Sequence, residues 1–233
     1  MIPLRDENPT LHPPVATVTI IIACVVVWIL FEGLGTPQAL VRSLCLHGLI
    51  PGRILGLLPP GTQVQVGRNM YCVLQGSSGL HTIFAHMFLH GSWFHLIGNM
   101  WFLWVFGDNV EDAMGSGRFF VFYLICGLAA ASLQIATHPS SALPMVGASG
   151  AIGGVMGAYA RFYPHARVHV LIFLGFFMTT VSVPAVLMLG YWFLLQLLGG
   201  IPALASAGGG IAFWAHIGGF ASGYFLADLF RRR

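Results

Sequence analysis

The sequence predicts an all-α integral membrane protein, a bundle of six transmembrane helices with a long membrane-associated first loop. Of the 233 residues, 57% are hydrophobic and 7% are charged, whereas a soluble domain carries about 25% charged residues. The mean hydropathy of +0.82 agrees with this class. A formal net charge of +3 is too small to indicate a nucleic-acid partner.

Six apolar stretches account for the predicted spans. The first is expected to be retained, because no small-residue cleavage site closes it. The fourth is short for a helix that needs about 20 residues to cross the hydrocarbon, so Ser149 should start below the membrane surface. Pro184 divides residues 168–198, whose first part we interpret as an interfacial segment. The predicted spans are residues 16–31, 92–106, 119–135, 149–163, 185–198 and 211–230.

Residues 1–14 are predicted to form a short cytoplasmic tail, and residues 15–233 a single six-span domain. The first loop, residues 32–80, is too interrupted by glycine and proline to span a membrane, so we expect partly membrane-dipping, amphipathic structure. Cys45 and Cys72 both lie in this loop. The sequence leaves open whether they form a disulfide.

Arginine gives the predicted orientation, because positive residues favour the cytoplasmic side. In a six-span arrangement seven of the ten arginines fall on one side, which places both termini in the cytoplasm. The second, fourth and sixth helices then start from the outer face. The seven are Arg5, Arg118, Arg161, Arg167, Arg231, Arg232 and Arg233, and the first loop carries Arg42, Arg53 and Arg68.

Ser149 lies where a polar loop becomes an apolar helix. Ser149, Gly153 and Gly157 are spaced i, i+4, i+8, and small residues at this spacing let a second helix approach closely. Free backbone N–H groups at a helix N-terminus also suit a developing oxyanion. On its own this stretch is more typical of a packing seam with a capping serine than of a catalytic site.

Three further polar residues favour a catalytic site over a packing seam. His95 and Asn99 share one face of the second helix, and His216 lies near the start of the sixth, ahead of a seam formed by Gly219 and Gly223. Polar residues inside spans are costly and indicate function. Since all three lie near the outer ends of their helices, as Ser149 does, a neutral His216 could take the proton of Ser149. Without an acidic residue near His216 in the sequence, we predict a dyad.

At this point the sequence resembles the rhomboid family of intramembrane serine proteases. The resemblance covers about residues 15–233, and three motifs carry it in order. They are Gly147-Ala148-Ser149-Gly150, the His-x4-His-x3-Asn pattern from His90 to Asn99, and Ala215-His216-Ile217-Gly218-Gly219.

The resemblance implies roles for these residues. Ser149 would be the nucleophile and His216 the general base. The oxyanion would be held by His95, Asn99 and the Ser149 backbone, while His90 would structure the first loop. The glycines of the motifs and seams would be structural: Gly147, Gly150, Gly153, Gly157, Gly219 and Gly223.

The family hydrolyses peptide bonds in or near transmembrane segments and favours small residues at the cleavage site. We therefore expect transmembrane protein substrates, a lipid bilayer around the protein, and no nucleic-acid partner, cofactor or metal. The expected location is a bacterial cell (inner) membrane. Some members carry an aromatic residue four positions after the serine, stacked on the catalytic histidine; here that residue is Gly153. Support from Phe213, Trp214 or Phe220 is expected instead.

Two alternatives stay open. One is a catalytically inactive rhomboid-like binder of membrane proteins, against which the presence of Ser149 and His216 argues. The other is a histidine-lined transporter, because His86 and His90 have i, i+4 metal-ligand spacing. We favour hydrogen-bonded rings for those two histidines, since metal transport should need ligands near the bilayer midplane.

Overall fold

The structure is a computed structural model that describes residues 1–67, 70–74, 79–175, 177–204 and 211–232. Every predicted span is helical. Two helices are long and apolar enough to cross a membrane by length and composition, Ser116–Thr137 and Ala185–Ala203, and Val15–Leu30 is a shorter apolar helix. The helices are α1 (Val15–Leu30), α2 (Pro37–His47), α3 (Pro51–Ile54), α4 (Thr82–Ala85), α5 (Trp93–Met114), α6 (Ser116–Thr137), α7 (Ser149–Phe162), α8 (Ala185–Ala203) and α9 (Phe213–Phe230).

The short helix α7 is the centre of the bundle. All of its residues from Gly150 to Ala160 are buried, and it contacts α5, α6, α8 and α9. Glycine permits the closest of these approaches. An ideal Cβ on Gly219 would lie 1.8 Å from the carbonyl oxygen of Gly150, and one on Gly223 would lie 1.9 Å from that of Gly154. Backbone therefore packs on backbone between α7 and α9, as the small-residue spacing predicts.

The helices α5, α7 and α9 run parallel. Gly150 and Gly154 meet Gly219 and Gly223 in the same order along α7 and α9. The α5 ring of Phe106 contacts Tyr159 of α7, one turn before the Tyr163 hydroxyl reaches the Asn109 carbonyl. As a result, the N-termini of three helices meet at one end of the molecule.

The all-α prediction needs a correction, because five strands are present among the described residues. Strand β1 (Ile2–Asp6) pairs antiparallel with β4 (Arg167–Leu174), and β4 pairs with β5 (Phe177–Pro184), in the order β1-β4-β5. The segment interpreted as interfacial is thus a hairpin, and the N-terminal stretch interpreted as a tail contributes a strand to its sheet. The apolar run hid an alternation: Val168 and Val170 are fully buried while His169 between them is not.

The first loop contains two helices, two paired strands and a disulfide. Helices α2 and α3 are followed by a hairpin of β2 (Thr62–Gly67) and β3 (Met70–Leu74). A disulfide joins Cys45 of α2 to Cys72 of β3 with their Cα atoms 5.5 Å apart, which answers the question the sequence left open. Beneath the hairpin lies a second apolar cluster of Ile50, Val64, Cys72 and Leu74.

Glu111 of α5 is hydrogen-bonded to the first residues of α1 and α6. Its carboxylate is buried and accepts the backbone N–H groups of Ala16 and Thr17, at 2.8 and 2.7 Å, and the hydroxyl of Ser116. These N–H groups open α1, where a helix has no internal partners for them and where a negative charge is stabilising. Helix α5 therefore continues beyond the predicted end of the second span at residue 106, and its last turns cap the neighbouring helix α1.

Two residues used in the orientation argument, Arg68 and Arg233, lie outside the described residues.

Candidate active site

A cavity of about 620 Å³ opens at the end of the bundle where α5, α7 and α9 begin. His95 and Asn99 line it from α5, Ser149 from α7 and His216 from α9. Trp192 of α8 closes one side. All four predicted polar residues lie within the first two turns of their helices, so one end of the bundle brings them together as expected.

Ser149 and His216 are in hydrogen-bond contact. The Oγ of Ser149 lies 2.8 Å from Nε2 of His216, a distance at which a neutral imidazole can accept the hydroxyl proton. The backbone before Ser149 is held in an unusual conformation at Gly147, whose φ of +126° is strained for any residue with a side chain. The Gly147 N–H donates to the carbonyl of His86 at 2.9 Å, which anchors this turn.

His95 and Asn99 both line the cavity and carry side-chain N–H groups. The Nδ1 of His95 accepts the Gly91 N–H at 3.3 Å, so in the neutral ring the proton is on Nε2. An ideal Cβ on Gly147 would lie 2.7 Å from this Nε2 and 3.5 Å from Ser149 Oγ, so both atoms border the space beside Gly147. Asn99 is 8% exposed, and its Nδ2 has no hydrogen-bond partner among the residues that the structure describes.

His90 lies behind His95. It is fully buried, its ring centroid is 5.2 Å from that of His95, and its backbone N–H donates to the Glu32 carboxylate at 2.8 Å. Burial lowers the pKa of His90 to about 3 and that of His86 to about 4, so both rings stay neutral. His86 belongs to a 3₁₀ turn that ends before His90, so their spacing does not put them on one helix. Among the described residues no group of three metal-ligating side chains is present.

Comparison with known proteins identifies the family of the chain. Residues 77–233 match the family described as Rhomboid domain, which is more than half of the chain. The chain belongs to the rhomboid family. Membership makes it a helical membrane protein.

Characterised rhomboid relatives are longer than this chain. It is 31% identical over 149 residues to Rhomboid protein 1, mitochondrial, of Saccharomyces cerevisiae, which covers 61% of this chain and 39% of the relative. It is 34% identical over 139 residues to Rhomboid protease GluP of Bacillus subtilis, covering 60% and 24%. With Rhomboid-like protein 11, chloroplastic, of Arabidopsis thaliana it shares 38% identity over 68 residues, covering 29% and 24%. The chain thus spans well under half the length of these relatives.

The support of His216 in this rhomboid differs from the prediction. The neighbouring ring is Trp192 of α8, with centroids 5.8 Å apart and an interplanar angle of 36°. Phe220, one of the expected supports, stacks on Trp192 and Phe193 instead, and the indole of Trp214 donates to the carbonyl of Gly200. The prediction failed because Trp192 lies on α8 and His216 on α9, and a single sequence does not show which side chains of two helices are in contact.

Sequence reasoning also missed Gln196. Its Oε1 lies 2.8 Å from Nδ1 of His216, opposite Ser149. Gln196 is a polar side chain inside a predicted apolar span, the same signal that identified His95 and Asn99. Gly154 of the helix seam was missed as well, although it continues the spacing begun by Gly150.

Proposed function

We propose that this rhomboid is a serine endopeptidase that cleaves transmembrane segments of other membrane proteins. The observation that carries the proposal is the 2.8 Å contact between Ser149 Oγ and His216 Nε2 inside a cavity. Ser149 attacks the scissile carbonyl carbon while Nε2 of His216 takes its proton. The same proton then goes to the leaving amine, and an acyl-enzyme ester remains on Ser149. Water, activated by His216, hydrolyses the ester and frees Ser149.

The oxyanion of each tetrahedral intermediate is held by three donors. These are the Nε2–H of His95, the Nδ2 of Asn99 and the backbone N–H of Ser149. Two features support this role. Among the described residues the Nδ2 of Asn99 has no hydrogen-bond partner, and the bond from Gly91 to Nδ1 of His95 leaves the ring proton on Nε2. The positive ends of three parallel helix dipoles also face the cavity. The chemistry requires neither metal nor cofactor.

We infer that helices α1, α5, α6, α7, α8 and α9 form a six-helix bundle in a bilayer, with both termini in the cytoplasm and the cavity near the outer face. The arginine distribution supports this orientation. So does the disulfide between Cys45 and Cys72, because disulfides persist on the oxidising side of a membrane. A bacterial inner membrane is the proposed location.

Substrates are proposed to be membrane proteins with small residues and an easily unwound helix at the cleavage site. The cavity is lined by α5 on one side and Trp192 of α8 on the other, so we place substrate entry between these two helices. Partners of the chain are then lipid and transmembrane segments, with no role for nucleic acid.

Reconstitution in liposomes tests this proposal. A panel of transmembrane reporters that a known active rhomboid cleaves is offered to wild type and to Ser149→Ala. We expect cleavage by wild type only, within or beside the transmembrane segment. Equal cleavage by Ser149→Ala would exclude Ser149 as the nucleophile. Binding of the reporters without any cleavage, while the known rhomboid cleaves them, would favour the inactive binder.

A further inference from the structure

The orientation of His216 is set by a hydrogen-bond chain on α8. Gln196 donates from Nε2 to the carbonyl of Trp192 at 3.2 Å, which is one turn earlier on the same helix. The amide is thereby oriented with Oε1 towards His216, 2.8 Å from Nδ1. An amide oxygen only accepts, so Nδ1 must carry the proton. In the neutral ring Nε2 is then unprotonated, which is the form that can accept the proton of Ser149.

Gln196 makes these bonds where solvent cannot replace them. It is 8% exposed in a helix that is otherwise apolar, where a polar group without a partner is costly. Its partners are the catalytic ring on α9 and the backbone of its own helix. The side chain of Gln196 therefore faces the site and links α8 to His216.

Trp192 and Gly153 are complementary in shape. An ideal Cβ on Gly153 would already lie 3.8 Å from the Trp192 ring and 3.1 Å from the His216 carbonyl oxygen. A longer side chain at position 153 would occupy the space that Trp192 fills. The ring beside His216 is thus supplied by α8, and the glycine on α7 makes room for it.

We propose that Gln196 is a positioning residue that holds His216 in its catalytic tautomer, with Trp192 supporting the ring. This inference rests on the proposed function and adds a third member to the dyad. It also makes the site depend on how α8 packs, since moving α8 away from α9 would break the bond from Gln196 to His216.

The test measures the rate at which a fluorescent fluorophosphonate labels Ser149 in the purified full chain. Gln196→Met keeps the length and removes the acceptor. We expect it to slow labelling on the order of ten- to a hundredfold, by misplacing a general base, when the rate is measured well below the melting temperature of the variant. Leu195→Met, on the exposed side of α8, is the matched control and should label at the wild-type rate. Wild-type labelling by Gln196→Met would overturn the positioning role while leaving the proposed function intact.

A second variant, Gln196→Glu, tests the role of Gln196 through the pH dependence of labelling, which would not change if Gln196 were only structural. The carboxylate keeps the acceptor, so labelling should persist, but it also stabilises the protonated ring. The low-pH limb of the labelling profile should therefore move to higher pH, with His95 as the other titratable side chain on the cavity. An unchanged limb would contradict the proposal. If wild type stays unlabelled where a known active rhomboid labels, the proposed function itself fails.

A different set of observations concerns the sheet of β1, β4 and β5. The N-terminal segment runs along α5, starting at the C-terminal end of that helix, and three hydrogen bonds hold it there. Asp112 accepts the Leu11 N–H, and Asn109 donates to the Asn8 carbonyl. Trp101 donates to the Pro3 carbonyl. Eleven residues of α5 separate the first and last of these contacts, about 17 Å along the helix axis. Strand β1 thus rises alongside α5 instead of extending away from it.

The sheet connects α5 to α8. Strand β1 contacts α5, pairs with β4, and β4 pairs with β5, after which α8 begins directly at Ala185. Its inner face is part of the main core through Val168 and Val170. The sheet therefore fills the space between these two helices below the site.

The two ends of the hairpin differ in polarity. Arg167 and Ser182 are exposed at the end next to the helices. At the other end Phe173, Phe177 and Met178 are 55%, 77% and 68% exposed. Residues 168–184 contain no acidic or basic residue other than His169. An exposed apolar end of this kind fits acyl chains and not water.

We infer that this sheet enters the bilayer from the cytoplasmic side, with its apolar end against lipid, and closes the part of the entrance between α5 and α8 that it occupies. The inference depends on the proposed orientation and limits substrate entry to the part of the entrance on the outer side of the sheet. In liposomes, an environment-sensitive fluorophore on Phe177→Cys should emit at shorter wavelength and be quenched by a lipid-borne nitroxide. On Ser182→Cys, the matched control in the same strand, it should be quenched by an aqueous quencher. The native free thiols, Cys24 and Cys126, are buried.

Aqueous quenching of Phe177→Cys equal to that of Ser182→Cys would overturn the lipid contact. This readout does not depend on activity, so it separates failure of the sheet proposal from failure of the proposed function.

Discussion

At the scale of single residues, Asn99 offers the clearest test of the oxyanion site. Its amide is nearly buried and its Nδ2 is unpaired among the described residues, so the fold gains little from it. Asn99→Ala should lower the labelling rate on the order of ten- to a thousandfold, the usual cost of one oxyanion donor, with little change in thermal unfolding. A variant that loses stability and not rate would show that Asn99 is interhelical packing.

Glu32 predicts a pH dependence of stability. It is fully buried just beyond α1, and burial raises the pKa of its carboxyl to about 7, partly offset by the N–H of His90. The folded protein favours the protonated carboxyl of Glu32. The contribution of this group to the free energy of unfolding is therefore complete below its ordinary pKa of about 4.5 and is lost as pH rises towards 7.

Glu32→Gln keeps the acceptor for the His90 N–H and cannot ionise. The melting temperature of the variant relative to wild type should therefore rise between pH 5 and pH 8. His86 and His90 act in the opposite direction, because their neutral buried rings lose stability as pH falls below 6.5; they cancel in the difference between the two proteins. A difference that does not change with pH would contradict the burial of an ionisable Glu32.

The sequence predicted which polar residues lie together better than it predicted the side chains that contact them. Ser149, His216, His95 and Asn99 could be found because each is polar in an apolar helix at a similar distance from its end. Gln196 carried the same signal, but its partner lies on another helix, and a single sequence does not show which faces of α8 and α9 meet.

At the scale of helices and strands, the seam between α7 and α9 makes a sharp prediction. A methyl group on Gly219 would lie 1.8 Å from the Gly150 carbonyl oxygen. Among the described residues, one on Gly190 in α8 would meet no atom within 4 Å other than its chain neighbours and the backbone of its own helix. Gly219→Ala should force the helices apart, lowering thermal stability and labelling together. Gly190→Ala should be neutral or slightly stabilising, because alanine favours helix. Equal melting temperatures for the two variants would contradict the close approach of α7 and α9.

The helices could be predicted from hydropathy, and the strands could not. Strand β1 pairs with a partner more than 160 residues away, as Ile2 does with Leu171, and no local pattern gives such a contact. The hairpin did carry a local signal in the alternation around His169, with Gly175 at positive φ in its turn. The apolar run was long enough to be taken for a membrane-associated segment.

At the scale of the whole molecule, the proposed orientation can be tested on the native disulfide. In right-side-out spheroplasts, a membrane-impermeant reductant followed by an impermeant maleimide should label Cys45 and Cys72, since the first loop is placed outside. Ser182→Cys, on the other side, should label only after permeabilisation. The reverse pattern would place both termini outside and invert the site.

The central claim is that Ser149 is a nucleophile activated by His216, and one measurement addresses it without a substrate. The detergent-purified wild type is treated with a fluorescent fluorophosphonate beside Ser149→Ala and His216→Ala, with a known active rhomboid in parallel. We predict labelling of wild type, with the adduct located on Ser149 by mass spectrometry, and none of either variant. An unlabelled wild type beside a labelled control rhomboid, or full labelling of Ser149→Ala, would contradict it.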